Sequence, residues 1–217
     1  MTTILQRTQV IGKHRTARIM RENGLKCYKK AAFRTATTDS KHSLMKYPNL
    51  LLDPEKQHMP TIVGDVTYYD VRGINHYCAH LMDLTNREII GIAISDRLDA
   101  DLVCEALRMA ILNRGSLEGY IHHTDTDSRY CSQDYVDLLD TTGAEISMCV
   151  GNAYENAHSE SFNKTLKRQE ININQYKTKE ESARSIFIFV EKYNTFRPHS
   201  ALGMLAPVEY RKKMIGM

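Results

Sequence analysis

The feature that most constrains this chain is a pair of carboxylates in two different settings, with 34 residues between them. Asp125 follows the short apolar-to-polar run at residues 119–124, which predicts a strand that ends at this aspartate. Glu160 lies within residues 154–168, which contain no Gly or Pro and predict a helix. One face of this helix carries Asn156, Glu160, Lys164 and Lys167. A helix carboxylate aimed at a strand-end carboxylate, with basic residues beside it, suits a divalent metal and a phosphate backbone.

The sequence words around these carboxylates carry a resemblance. Residues 122–130 read HHTDTDSRY, and residues 151–162 read GNAYENAHSESF. They resemble the HSDRGSQY and DNAxxESFF motifs of the integrase core in the IS-three family of bacterial insertion-sequence transposases, which are relatives of retroviral integrases. The tail YNTFRPHSALG at residues 193–203, followed by APVEY, resembles the family's YNxxRPHSALGxxTPxEY. The resemblance therefore covers most of the chain, from about residue 12 to residue 210.

The resemblance implies a triad of catalytic carboxylates. Asp125 and Glu160 match its second and third members, and Asp65, within the word VGDVTY, matches the first. An aspartate inside a predicted strand is costly to bury, so a ligand role would compensate for its charge; a strand-end position in solvent is the other interpretation. The resemblance implies that all three bind metal, as two Mg²⁺ or Mn²⁺ ions. We predict that they converge although they lie on different elements.

The implied reaction is phosphodiester chemistry on DNA. The resemblance implies a Mg-dependent DDE transposase, a polynucleotidyl transferase that hydrolyses DNA at an element end and then transfers the exposed 3′-hydroxyl to a second phosphodiester. Two alternatives stay open: a decayed or non-catalytic DNA-binding transposase fragment, and a ribonuclease-H-like nuclease without strand transfer. Cleavage of a labelled element end, and its joining to a target, would separate the three.

Departures from the family words at five positions bear on these alternatives. Ile62 replaces a usual Trp, Thr126-Asp127 replaces Arg-Gly, Arg129 replaces Gln and Glu155 replaces Asp. None removes a triad member. Asp127 is expected either to add negative charge near the metals or to compete as a ligand, and we predict that Asp125, which keeps the family spacing, is the ligand.

The charge distribution indicates nucleic-acid contact at both ends of the chain. A net charge of +3 divides into +9 over residues 1–46, −12 over residues 47–160 and +6 over residues 161–217. Basic ends around an acidic middle fit a protein that holds DNA at its ends and metal at its centre, although solvated basic termini are the simpler explanation. The candidate DNA-binding residues are Arg15, Arg18, Asn156, Lys164, Lys167, Arg168, Arg197 and His199. The expected partners are double-stranded DNA (element ends and target), further copies of the chain, and a helix-turn-helix protein or fusion.

The order of the predicted elements defines the fold class. Strands are predicted at Thr61–Val71, 77–84, Glu88–Ser95, 120–124 and Glu145–Cys149, and helices at 12–25, 99–113, 132–142, 154–168 and 179–194. Periodicity alone predicts an α/β protein with a mixed five-stranded sheet flanked by helices. The resemblance implies that this is the ribonuclease-H-like fold. We divide the chain into a partial helix-turn-helix-like basic segment (1–34), a linker (35–58) and the catalytic core with its C-terminal helices (59–217).

Composition excludes several other classes. The longest apolar runs, 89–94 and 186–190, are far too short to span a membrane, so the expected location is the cytoplasm. Five scattered cysteines without a CxxC pair predict reduced thiols in or near the core rather than disulfides or a zinc site.

Overall fold

A computed structural model describes residues 1–25, 42–149 and 157–216 of the chain. The helices are α1 (Thr2–Leu5), α2 (Lys13–Glu22), α3 (Ala100–Arg114), α4 (Gln133–Asp140), α5 (Ala157–Gln169), α6 (Lys179–Thr195) and α7 (Pro207–Met214). The strands are β1 (Thr61–Val71), β2 (Ile74–Asp83), β3 (Glu88–Ser95), β4 (Ile121–Asp125) and β5 (Glu145–Cys149). Within the described ranges, no helix has the length and apolar character needed to cross a membrane.

The five strands form one mixed sheet in the order β3-β2-β1-β4-β5. The first three pair as an antiparallel meander, and β4 and β5 continue the sheet in parallel with β1. The predicted mixed five-stranded sheet is therefore confirmed. The prediction for β2 began three residues too late. Arg72 and Gly73 both have positive φ, which makes a two-residue hairpin turn and lets pairing resume at Ile74.

Helices cover both faces of the sheet because the side chains of each strand alternate between them. On β1, Ile62 and Val66 pack with α3 and α4, whereas Val63 and Tyr69 pack with α5 and α6. The contact between α3 and β3 is especially close, since a Cβ on Gly91 would lie 2.1 Å from the carbonyl oxygen of Ala106. Two apolar layers thus hold the central strand, and burial of that surface is the main favourable term in folding.

Local signals placed most helix boundaries, and two short helices were not predicted. The predicted cap at Ser132 is confirmed, because its hydroxyl accepts a hydrogen bond from Tyr135 N at 3.4 Å. Helix α7 begins at Pro207, a residue type that is favoured at the first position of a helix. The Glu209 carboxylate caps the same end by accepting a hydrogen bond from Ala206 N at 2.8 Å. The predicted start of α5, at residues 154–156, lies outside the described residues.

The segments before β1 contact the core. Arg7 forms an ion pair of 2.9 Å with Glu209 of α7. In the second half of the predicted linker, Pro48 O accepts from Met148 N at 3.3 Å and Leu50 N donates to Ser147 Oγ at 3.0 Å. Residues 42–58 thus include a stretch that lies along β5, while residues 26–41 are outside the described part. The division at residues 34 and 58 stays a prediction.

Candidate active site

Asp65 and Asp125 lie on neighbouring parallel strands. The final paired residues of β1 and β4 are Val63 and His123, and each aspartate lies two residues further along its own strand. Parallel partners share a face, and residues two apart on a strand share a face as well. Both carboxylates therefore project from the face of the sheet that α5 covers.

Helix α5 brings Glu160 to the same face. The helix is anchored there by Phe162 and Leu166, which are buried against β1 and β2 residues. One turn along, Asn163 Nδ2 donates a hydrogen bond of 2.8 Å to Oδ2 of Asp65. Asp65 and Asp125 therefore share one face of the sheet, and α5, which carries Glu160, packs on that face.

The charges of Asp125 and Glu160 both act on Asp65. Burial, the charge of Asp125 and, to a smaller extent, the charge of Glu160 together raise the pKa of Asp65 to about 7. Hydrogen bonds from Val66 N, at 2.8 Å, and from Asn163 oppose this rise. A carboxylate that resists ionisation beside two others is an arrangement that a bound cation would relieve.

The donor set fits a hard divalent cation, because all three side chains offer carboxylate oxygens. The carboxylates nevertheless do not form a ready-made cage: within the described residues, no three His, Cys, Asp or Glu side chains are gathered closely enough to hold an ion. Glu160 is turned to Lys164 Nζ at 3.3 Å, and Asp65 to Val66 N and Asn163. Binding of an ion would therefore require Glu160 to leave Lys164, whereas each oxygen of Asp65 can keep its hydrogen bond and still offer a lone pair to metal.

The strand beside β1 supplies no compensating charge to Asp65. His80, the β2 partner of Asp65, is fully buried against the ring of Phe162, with 4.6 Å between ring centroids. Burial lowers the pKa of His80 to about 3, so its ring is neutral. Lys167 is a cation near Asp65, and its ammonium lies 4.3 Å from the ring centre of Tyr68. Burial lowers the pKa of Lys167, and the charges of Tyr68 and Asp65 oppose that effect.

The candidate DNA-binding residues fall into three groups. Lys164, Lys167 and Arg168 continue along α5 from Glu160. Arg15 and Arg18 lie on α2, where Arg18 pairs with Glu22 at 3.7 Å. Arg197 and His199 follow α6, and Arg197 bonds Gln169 at the end of α5. Asn156 lies outside the described residues.

Asp127 does not add an uncompensated charge to the site. Its side chain is 2% exposed, and Oδ1 accepts from Arg129 Nε at 2.5 Å and from Arg129 N at 3.0 Å. The structure therefore corrects the expectation that Asp127 adds negative charge near the metals. The Asp at the family's Gly position is neutralised by the Arg at the family's Gln position. The two departures form one buried ion pair.

Three features in and around the site were absent from the sequence prediction. Asn163 had a usable signal, since it lies three residues after Glu160 on the same helical face. The ion pair of Asp127 with Arg129 had only its two-residue separation as a hint. Arg87, which lines a pocket beside α5, had none, because it is a turn residue at the end of a hairpin.

The sequence matches two models described as "Integrase core domain", over residues 56–152 and 143–207. It is 35% identical over 216 residues to the "Insertion element IS600 uncharacterized 31 kDa protein" of Shigella sonnei, covering 98% of this chain and 79% of that protein. It is 34% identical over 217 residues to the "Transposase for insertion sequence element IS904" of Lactococcus lactis subsp. lactis (strain IL1403), covering 98% and 85%. Its fold is similar to the catalytic core of BIV integrase, with a TM-score of 0.54 at 13% identity over 72% of this chain and 96% of that one.

Fold and comparisons together define an integrase-type catalytic core with the ribonuclease-H-like fold, in the class of polynucleotidyl transferases. Within that class, its match to insertion-sequence proteins covers 98% of the chain, and this coverage identifies the family. The chain belongs to the IS-three family of insertion-sequence transposases.

Proposed function

We propose that this chain is a metal-dependent DDE transposase that cleaves DNA at the ends of its insertion sequence and joins those ends to target DNA. The observation that carries the proposal is the placement of Asp65 beside Asp125 on adjacent parallel strands, with Glu160 on the helix that covers them. Membership of the family supports it. The pKa of Asp65, which burial and the charges of Asp125 and Glu160 raise, supports a site in which three carboxylates act together.

Asp65, Asp125 and Glu160 would hold two ions of Mg²⁺ or Mn²⁺. When bound, such ions activate the attacking oxygen and stabilise the leaving one. The protein's own part is to hold the ligands. Val66 N and Asn163 fix both oxygens of Asp65, and the hydrogen bond from Asn163 ties α5 to the central strand.

Two phosphodiester exchanges complete the proposed reaction. In the first, the oxygen of a water molecule bonds to phosphorus at the element end, and the bond to the 3′-oxygen breaks, which leaves a 3′-hydroxyl. In the second, that hydroxyl bonds to a target phosphorus, and a target phosphorus–oxygen bond breaks. Each step forms one bond and breaks one, and no covalent bond to the protein forms. Positioning is the main requirement on the protein.

Double-stranded DNA is the proposed partner. Lys164, Lys167 and Arg168 extend from the carboxylates along α5, so a phosphate backbone laid along this helix would meet positive charge. We assign the same role to Arg15 and Arg18 on α2, and to Asn156 in the family's motif. We also propose that the chain acts on DNA as a homo-oligomer, with a helix-turn-helix protein as partner or fusion.

The test uses a labelled duplex that carries the inverted-repeat end of the element, incubated with the full chain and Mg²⁺. We expect cleavage at the end and joining to a second duplex, and loss of both in Asp125→Asn. The control is Asp140→Asn, an exposed carboxylate on α4, which packs on the opposite face of the sheet. Cleavage without joining would favour a nuclease. Duplex binding without cleavage would favour a non-catalytic fragment.

A further inference from the structure

A polar pocket of about 210 Å³ lies beside α5, on the side of the helix that faces away from the carboxylates. Three parts of the chain build it: the turn between β2 and β3, the first turns of α5, and the segment after α6. Phe162 and Tyr193 are the aromatic side chains that line it. Its polar lining consists mainly of Arg87, His158, Ser161, Thr165, Arg197 and His199.

The polar lining of this pocket carries only positive or neutral groups. Two arginines and two histidines face it, and none of the described side chains that line it carries a carboxylate. The four groups act on one another: Arg87 lowers the pKa of both His158 and His199, and Arg197 also lowers that of His199, while burial is the larger cause for each histidine. Cations gathered without a counter-ion in a half-buried pocket are unfavourable, and an anion would relieve them.

Two buried nitrogen atoms in this region lack partners. Arg87 Nη1 and His199 Nε2 are buried, and neither has a hydrogen-bond partner among the described residues. Buried donors without partners are rare in folded proteins, and donors of this kind are often satisfied by a bound ion. The guanidinium is a donor that suits phosphate oxygens, and the neutral imidazole is one in the tautomer that carries its proton on Nε2.

The turn that presents Arg87 is held rigidly. Arg87 has a φ of 62°, a left-handed conformation that is uncommon for residues other than glycine. On its flanks, Asn86 Nδ2 donates to Glu88 Oε2 at 2.9 Å, and Glu88 N donates to Asn86 Oδ1 at 3.2 Å. Arg114 of α3 and Arg211 of α7 fix Glu88 at 2.8 and 2.9 Å. Arg87 therefore projects from an anchored turn.

We infer that this pocket binds a phosphodiester group of the DNA backbone, at a point separate from the carboxylate site. Ser161 and Thr165 lie about 100° to 140° around α5 from Glu160, at 3.6 residues per turn. A phosphate in the pocket would thus lie about a helix diameter, ~10 Å, from the carboxylates, which makes it a neighbour of the reacting phosphate and not the same one. The inference rests on the proposed function for its choice of DNA as the ligand.

The pocket adds Arg87 to the contact residues that the sequence indicated, and it includes His158, which flanks Glu160 in the sequence. Arg197 and His199 were expected to meet DNA from the family tail alone. The pocket joins them to a turn more than one hundred residues earlier and identifies the ligand chemistry as phosphate.

The experiment measures binding of the full chain to the labelled element-end duplex in EDTA, so that the carboxylate site is not loaded. The variant is Arg87→Gln. Its matched control is Arg72→Gln, because Arg72 is an exposed turn arginine with a φ of 54° in the neighbouring hairpin. We expect Arg87→Gln to weaken binding about tenfold and to reduce the slope of log K against log salt by about one, and the control to match wild type.

Thermal unfolding separates folding from binding and distinguishes the sources of phosphate. Arg87→Gln should unfold no lower than wild type, since it removes an unpartnered charge, and inorganic phosphate should raise the unfolding temperature of wild type only. If Arg87→Gln fails to fold, His199→Gln takes its place in both assays. Binding loss in Arg87→Gln would support the pocket even if wild type cleaved no DNA, which keeps this test distinct from that of the proposed function.

Three results would overturn the inference. Wild-type duplex affinity and salt slope in a folded Arg87→Gln protein would exclude a DNA contact. An effect of the substitution on inorganic phosphate alone would mean that the pocket takes free anion and not DNA. A change in self-association without a change in duplex binding would mean that an acidic group of a second copy fills it.

Discussion

The side-chain amide of Asn163 donates a hydrogen bond of 2.8 Å to Oδ2 of Asp65, across 98 residues of sequence. This bond joins α5, the helix that carries Glu160, to the central strand. It also favours the ionised form of Asp65, against burial and against Asp125 and Glu160. Asn163 is therefore proposed as a positioning residue for the site, and its removal makes a specific prediction.

Asn163→Ala should shift the pH dependence of DNA cleavage to higher pH. The hydrogen bond lowers the pKa of Asp65, so its loss raises that pKa further above about 7 and leaves less of the ionised form at neutral pH. The measurement is the pH–rate profile of cleavage at fixed Mg²⁺. Asn174→Ala is the control, because its amide bonds Glu170 instead. An unshifted profile in Asn163→Ala would remove Asn163 from the site.

Asp65→Asn should stabilise the metal-free protein above neutral pH. The pKa of Asp65 is about 7 in the folded protein and about 3.9 in the unfolded chain. The stabilisation that the bound proton of Asp65 gives the folded protein is therefore complete below about pH 4, and it is lost as pH rises through about 7. The loss is of the order of 4 kcal/mol at most. Asparagine cannot ionise and avoids it.

Urea unfolding in EDTA at pH 5 and pH 8 checks this prediction. The advantage of Asp65→Asn over wild type should be larger at pH 8. An equal difference between the two proteins at both pH values would show that Asp65 is not held in a high-pKa state by its neighbours.

Asp127→Gly should destabilise the fold through Arg129. Removal of one partner from a buried ion pair leaves the other charge uncompensated, which typically costs about 3–5 kcal/mol. The double variant Asp127→Gly with Arg129→Gln, which restores both family residues, should recover most of that loss. A double-mutant cycle of unfolding free energies measures the coupling. Additive single effects would contradict the pairing.

Asp125, at the end of β4, and Asp127, two residues later, are expected to differ in their importance for cleavage. Asp125→Asn should abolish cleavage, because Asp125 lies beside Asp65. Asp127→Asn should keep cleavage within about tenfold of wild type, or about 1.4 kcal/mol of barrier, because its carboxylate already bonds Arg129. The assay is end cleavage by the two folded variants. The reverse pattern would show that the motif alignment is shifted.

Local sequence signals predicted the elements well where the signal and the structure are both local. The bounds of β1, β3 and β5 match the prediction, since alternating residues and turn signals mark their ends. The start of β2 was missed because Arg72 accepts a left-handed conformation that sequence does not indicate for arginine. Helix α7 was missed although Pro207 was a usable signal.

The site was predictable only as far as motifs name single residues. The order of the carboxylates and their family words led to Asp65, Asp125 and Glu160. The common face of Asp65 and Asp125 follows from strand register, whereas the position of Glu160 depends on the packing of α5. The contact of Asn163 with Asp65, and the position of Arg87 opposite His199, depend on how α5 and the tail pack. Such packing joins residues about one hundred positions apart, which no local pattern encodes.

The most direct test of the proposed metal site is anomalous diffraction from crystals of the full chain grown with Mn²⁺ and an element-end duplex. We expect two manganese peaks about 3.5–4 Å apart, with Asp65 bridging them, Asp125 on one and Glu160 on the other. Peaks ligated by Asp127, or the absence of manganese at these three carboxylates in a complex that still cleaves DNA, would contradict the assignment.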